Sequence, residues 1–286
     1  MKRTSTACSW CVILVCLSII LQGAQARQPR IGVLTAEGSD LPNMEVYMEN
    51  AFPGGTGFWD ASDTEGHLSP TLNWILQWDA LLVFSDYQWA NQTQTCNNLA
   101  TYADQGGRVV MGLYATYTAA GDPKCVCDSG PWADTYNVMI PAIAGSSDVY
   151  TDDTVDSGNY LPDHPIMQGF TTLTDYEGDR PLNTSQVTAG TYVVAGWADG
   201  SMMVAVKDGV GPYGRSRVDL GFYPMMGEDS STCNWLPTST DPCLQIPLVT
   251  INALKYTLRD FSSPASSLSS FWFSFLSRSE ERRVGK

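Results

Sequence analysis

The chain has 286 residues and carries 30 acidic against 16 basic side chains, a formal net charge of −14 at neutral pH. Such a surface repels nucleic acid and anionic membranes and suits a neutral or cationic ligand. With 43 % hydrophobic and 11 % aromatic residues the chain has the material for a packed core and excludes wholesale disorder.

The first 26 residues read as a secretory leader. Lys2 and Arg3 precede an apolar run from Trp10 to Leu21, and Ala24-Gln25-Ala26 supplies a small-x-small cleavage site. The run is about a dozen residues long, short of the ~20 that span a bilayer. The mature protein is therefore expected to be secreted, with no membrane insertion after cleavage. Arg30–Thr35 reads as a first short strand, and Pro53–Gly57 as a flexible loop. Asp79–Ser85 is apolar on both faces, the pattern of a parallel strand covered on both sides. Cys96, Leu99, Tyr102 and Ala103 recur at helical spacing until Gln105-Gly106-Gly107, where Gly106 can take the left-handed conformation that ends a helix. Arg108–Tyr114 follows as the next buried strand and completes a βαβ unit.

Asp152, Asp153, Asp156 and Asp163 resemble part of a calcium loop, but Ser157 stands where that loop requires glycine and no glutamate closes it. No metal site and no cofactor are expected. Thr191–Trp197 and Met202–Lys207 flank Ala198–Ser201, whose Asp199-Gly200 pair signals a hairpin. Arg217–Tyr223 is a further strand, and a last helix begins near Pro247 with Leu248, Ile251, Leu254, Tyr256 and Leu258 on its apolar face. Alternating β and α elements followed by a hairpin predict an α/β domain, a mostly parallel sheet with an antiparallel extension, over residues 27–261. Residues 262–286, Ser-rich and then charged, read as a disordered or non-native tail.

Three of the eight cysteines, Cys8, Cys11 and Cys16, belong to the leader. Cys96, Cys125, Cys127, Cys233 and Cys243 remain, and in a secreted chain these are disulfide candidates before they are metal ligands. Cys233 and Cys243 bracket one loop and are the easiest pair to close; Cys96 can reach Cys125 or Cys127 if the fold brings them together. Asn91-Gln92-Thr93 and Asn183-Thr184-Ser185 are glycosylation acceptors, which suit a secreted glycoprotein.

Asp79–Ser85 followed by Leu99–Val110, with Tyr102-Ala103-Asp104-Gln105-Gly106-Gly107 between helix and strand, resembles the corresponding stretch of class I glutamine amidotransferase-like and trehalose-utilisation-like domains. His164-Pro165-Ile166-Met167-Gln168-Gly169 is similar to a turn of the same group. Arg217–Tyr223 and the helix containing Asn252-Ala253-Leu254 resemble its closing strand and helix. The resemblance implies a flavodoxin-like three-layer fold. It also implies a nucleophilic cysteine in Gly-x-Cys-x-Gly and a downstream His-x-Glu, which take part in thiolate chemistry. Here the stretch reads Gly112-Leu113-Tyr114-Ala115-Thr116, and neither histidine, His67 or His164, has glutamate two positions on. The resemblance therefore points to a pseudoenzyme without glutaminase activity.

In open α/β sheets ligands bind beyond the carboxyl ends of the strands. That rule selects Glu37, Asp86, Trp89, Tyr114 and Glu228 as candidate ligand-binding residues, with Thr35, Tyr87, Tyr117, Met225 and Met226 nearby. His164 joins them as a candidate ligand-binding residue, although it reads as a turn-stabilising residue first and a base second. Aromatic rings beside carboxylates suit a carbohydrate or another cell-surface ligand. Two other readings stay open: a hydrolase using Asp86, Glu228 or His164 in acid–base or metal-assisted work, and an extracellular structural protein without a small ligand.

Overall fold

Runs that are apolar on both faces build the centre of a seven-stranded sheet. In β1 (Ile31–Ala36) and β3 (Ala80–Ser85) every residue is buried, as parallel strands covered on both sides require. The computed structural model describes residues 27–38, 41–64, 66–115, 124–127, 130–139, 149–153, 160–171, 176–180, 187–198, 200–224 and 245–259. Between and after these two strands come α1 (Pro42–Ala51), β2 (Thr56–Asp60), α2 (Leu72–Ile75), α3 (Gln92–Asp104), β4 (Val109–Met111) and α4 (Gly130–Thr135). The chain continues through β5 (Val149–Asp153), a 3-10 turn (Pro165–Met167), β6 (Tyr176–Arg180), β7 (Thr191–Gly196), β8 (Met202–Val210), β9 (Arg215–Leu220) and α5 (Gln245–Thr257). β5 and β6 pair antiparallel as a separate two-stranded sheet.

The main sheet has the order β2-β1-β3-β4-β9-β8-β7. Its first five strands are parallel, and β8 runs antiparallel to both of its neighbours. Reading β9 as the fifth strand gives the flavodoxin-like order 2-1-3-4-5, with its topological switch point between β1 and β3. Helices cover both faces. Val33, Leu82, Phe84 and Leu220 pack with Met44 and Met48 of α1 and Leu254 of α5. On the other face Leu34, Leu81, Val83 and Met111 pack with Ile75 of α2, Leu99 of α3 and Trp132 of α4. The expected three-layer fold, its parallel sheet and the antiparallel extension are all present.

Two local expectations change. Pro53–Gly57 is not all loop, because Thr56 and Gly57 open the edge strand β2. A side chain at Gly57 would put its Cβ 2.4 Å from the Trp78 ring, which lies across the strand there. All five residues of β2 are half-buried, so the strand has neither a clean alternation nor a fully apolar run to announce it. The strand expected over Arg108–Tyr114 is regular only over Val109–Met111 and then turns. Other expectations hold locally: Gly106 ends α3 at φ +89°, and Gly200 lies between β7 and β8 at φ +88°.

A buried ion pair locks the middle of the sheet. Arg217 donates to Asp219 at 2.8 Å, and the second Asp219 oxygen accepts the Met139 amide at 3.0 Å. The same guanidinium donates to the carbonyls of Tyr136 and Val109 and lies 4.7 Å from the centre of the Trp132 ring. Cys96 on α3 is bonded to Cys127, with Cα atoms 5.2 Å apart. That resolves the choice at Cys96. The Cys125 thiol is buried and donates to the Ala115 carbonyl at 3.7 Å. Cys233 and Cys243 lie outside the described residues.

Candidate ligand site at the carboxyl end of the sheet

Five strand ends and one tethered loop converge at the carboxyl end of the sheet. Glu37 follows β1, Asp60 ends β2, Asp86 follows β3 and Tyr114 follows β4, while Tyr223 follows β9. Asp60 is the organising anion. It accepts the backbone amides of Glu37 at 3.2 Å, Gly38 at 2.8 Å and Ser62 at 2.9 Å. The loop after β3 folds onto β1, because the Asp86 and Tyr87 amides both donate to the Ala36 carbonyl. Lys124 enters from the loop that the Cys96–Cys127 disulfide holds. Its ammonium sits 2.9 Å from Asp86 and 4.5 Å from the centre of the Tyr114 ring.

Glu37 is 3 % exposed. One carboxyl oxygen, Oε2, accepts the Tyr223 hydroxyl, while the other, Oε1, is buried without a hydrogen-bond partner. Burial pushes its pKa up to about 8; the Tyr223 hydrogen bond and Lys124 work against the rise, and Asp86 and Asp60 add to it. At neutral pH the group is a carboxylic acid with a proton to donate.

The turn after β4 is a strained elbow. Among the described residues Tyr114 is the one non-glycine residue at positive φ, +62°. A side chain there costs about 1–2 kcal/mol, so packing must hold it. The ring is 6 % exposed, with the Tyr223 ring 5.8 Å away edge-on and Lys124 over it. Gly112 is also required: a Cβ there would lie 2.5 Å from the Pro224 ring.

A serine, a histidine and an aspartate also meet near the site, but not as a relay. Ser62 Oγ lies 3.1 Å from His67 Nδ1, and Asp60 Oδ2 lies 2.9 Å from the same nitrogen. A proton relay needs the hydroxyl on one ring nitrogen and the carboxylate on the other. Thr64, 2.7 Å from Ser62 Oγ, completes a cluster that pins the loop after β2.

The sequence-predicted residues divide into groups. Glu37, Asp86 and Tyr114 come together at the switch point. Trp89 is beside them but 5 % exposed, and its indole donates to the Lys124 carbonyl at 2.7 Å. In this position it anchors the Lys124 loop, together with Ser85 Oγ on the same carbonyl, and neither it nor Tyr114 presents a free ring face. His164 is at the other end of the sheet. It caps the 3-10 turn, with Nδ1 accepting the Ile166 amide at 3.3 Å, and its Nε2 is 3.3 Å from the Tyr192 hydroxyl. Tyr192 is the second residue of β7, opposite Val206 of β8, toward the amino-terminal ends of the parallel strands. Burial lowers the His164 pKa; Asp208 opposes this and Arg259 adds to it. Asn91 is exposed and caps α3, accepting the Gln94 amide at 2.9 Å. Glu228, Asn183, Tyr117, Met225 and Met226 lie outside the described residues, as do Asp156 and Ser157 of the acidic segment.

Sequence reasoning missed Asp60, Lys124 and Tyr223. Asp60 ends a strand whose first two residues read as loop and whose rest carried no reading, and Lys124 reaches the site through a disulfide whose partner was open. Tyr223 was legible as the end of the Arg217–Tyr223 strand, where the carboxyl-end rule also applies. Among the described residues no group of three or more His, Cys, Asp or Glu side chains is arranged to hold a metal ion. No described helix is long and apolar enough to cross a membrane. No family model matches the sequence, and no curated protein matches it either.

Proposed function

We propose that the protein is a secreted, catalytically silent relative of the class I glutamine amidotransferase-like domains that binds a neutral, hydroxyl-rich ligand, a carbohydrate, at the carboxyl end of its sheet. The observation that carries the reading is the elbow at Tyr114. On the family resemblance a nucleophile would stand here; in its place is a ring packed between Tyr223 and Lys124, with carboxyl groups and an ammonium around it. A thiol, a base and a group orienting that base would all be needed for glutamine hydrolysis, and the elbow supplies none of them. The acid of Glu37, the carboxylate of Asp86 and the ammonium of Lys124 supply a donor, an acceptor and a second donor, the set that sugar hydroxyls satisfy. The strong negative charge of the chain argues against an anionic ligand. A glycan array read together with intrinsic tryptophan fluorescence tests the proposal. Binding of neutral glycans that Asp86→Ala weakens is the expected result, and silence in both assays would remove its support.

One observation favours a second reading, acid–base hydrolysis of the same class of ligand. Glu37, whose proton Asp86 helps to hold, is a carboxylic acid of the kind that glycoside cleavage uses as its proton donor. Release of new reducing ends from a bound polysaccharide would select this reading over simple binding.

A further inference from the structure

The buried oxygen of Glu37 that has no partner invites an account of what it serves. Buried polar atoms are almost always hydrogen-bonded, and each exception calls for an explanation, a bound partner among them. Four elements face this carboxyl group: Asp60 from β2, Asp86 from the loop after β3, Lys124 from the disulfide-held loop and Tyr223 from the segment after β9. Tyr223 occupies Oε2. The neighbouring anions Asp60 and Asp86 oppose ionisation of Glu37, and Lys124 is already paired with Asp86 at 2.9 Å.

We propose that Glu37 reads the ligand as a proton donor: its Oε1 hydroxyl hydrogen-bonds an uncharged ligand oxygen in the crevice, so that ligand binding takes the protein with Glu37 protonated and is lost when the proton leaves. The inference rests on the reading of the crevice as a ligand site and specifies its chemistry. A sugar hydroxyl fits, because it can accept from Glu37 and donate to Asp86 at once. A carboxylate-bearing sugar meets Asp86 and Asp60 and is rejected. Ionising Glu37 would set its own charge against the ligand's oxygen lone pairs and leave a buried anion beside two others, which is unfavourable on both counts. Burial supplies the operating range. With the pKa near 8, the acid persists at neutral pH, and affinity should fall about tenfold for each pH unit above that value.

The test has two arms on the full chain. In the first, the protein labelled with carboxyl-¹³C glutamate is titrated by NMR without any ligand. One glutamate carbon is expected to titrate with a midpoint near 8, and that signal should be missing in Glu37→Gln. A spectrum in which every glutamate titrates in the ordinary carboxylate range overturns the inference, even if glycans bind. In the second arm, binding of maltose, cellobiose and N,N′-diacetylchitobiose is measured by calorimetry from about pH 6 to about pH 9.5. Loss of affinity through the Glu37 midpoint is expected in the wild type. Glu37→Gln keeps a donor on the amide and a carbonyl for Tyr223, so its binding should be flat with pH. A wild-type affinity that is itself flat with pH overturns the inference. No binding of any of the three sugars at any pH overturns the carbohydrate reading and the ligand class assigned to Glu37 together. The ligand-free titration tells that failure apart from the first.

Discussion

At the amino-terminal edge of the sheet Asp208 sits at the centre of a network that closes on itself. It accepts from Ser216, from Arg259 at 2.9 Å and from the Tyr192 and Tyr256 hydroxyls at 3.1 Å, and Tyr192 reaches back to His164. At the carboxyl-terminal edge Glu37 has one oxygen bonded and one left over. Both edges gather carboxyl groups, tyrosines and a cation, so composition does not distinguish them. The bonding of the central carboxyl group does: both oxygens of Asp208 accept hydrogen bonds, which tie β7, β8, β9 and α5 together, whereas Oε1 of Glu37 has no partner. The two carboxyl groups also shift in opposite directions. Burial pushes the Asp208 pKa up, but hydrogen bonds from Ser216 and Arg259 outweigh it and hold the group below the usual carboxylate range. Burial wins at Glu37.

The largest way to break the carboxyl edge is through its tether. The Cys96–Cys127 disulfide spans 31 residues, and removing it in Cys96→Ser/Cys127→Ser should cost about 3–4 kcal/mol in the chain-entropy model. Because Trp89 donates to the Lys124 carbonyl, its emission should change even where the protein stays folded. Urea unfolding that shows no loss, with unchanged emission, would mean that the loop is held without the bridge. A smaller effect is expected at the other edge. Asp208→Asn removes the charge from a half-exposed hub and should cost about 1 kcal/mol. The loss of Asp208 as an anion should also make the variant less sensitive to acid, since the wild-type contribution is present above the unfolded pKa and fades as pH falls through the folded value. Sugar binding should not respond to it; a changed affinity would mean that the two edges are coupled.

The smallest expected effect on activity is none at all. Tyr114→Cys places a thiol at the elbow, but His67 uses Nδ1 within the Asp60–Ser62 cluster and His164 lies at the far edge. Ammonia release from glutamine should stay at the background of a heat-killed control in the variant and the wild type alike. The variant should lose stability, by about 3 kcal/mol if the ring leaves a cavity. Turnover in the variant would show that a base reaches the elbow.

The parts of this comparison that were legible in the sequence are those written in hydrophobic runs and in turn chemistry. β1, β3 and α3, the β7–β8 hairpin and the C-terminal helix all show local patterns, and parallel strands with crossover helices restrict the topology severely. That placed Glu37, Asp86 and Tyr114 at one edge. β2 was not legible because an edge strand with Gly57 under a tryptophan ring has no periodic signal. The partition of His164 from the crevice was not legible either. It depends on which end of β7 Tyr192 occupies, and strand direction after a long connection is a tertiary fact. Lys124 depends on a cysteine pairing that three cysteines left open. The unpaired oxygen of Glu37 is a matter of how many donors reach one side chain, and no one-dimensional pattern carries it.

The measurement closest to the central claim is the stability difference between the wild type and Glu37→Gln as a function of pH, from urea unfolding between about pH 4 and about pH 9. The unfolded carboxyl group has its ordinary pKa of 4.5, and the folded one is raised to about 8. Between those values the folded state holds a proton that the unfolded state has lost, so wild-type stability must fall as pH rises through this window and level off above it. Glutamine has no such step. The account predicts that the wild type loses ground to the variant steadily from about pH 4.5 to about pH 8, by a total on the order of a few kcal/mol. Two parallel curves across that range would contradict it, and would mean that Glu37 ionises like any surface carboxylate and offers the crevice no proton.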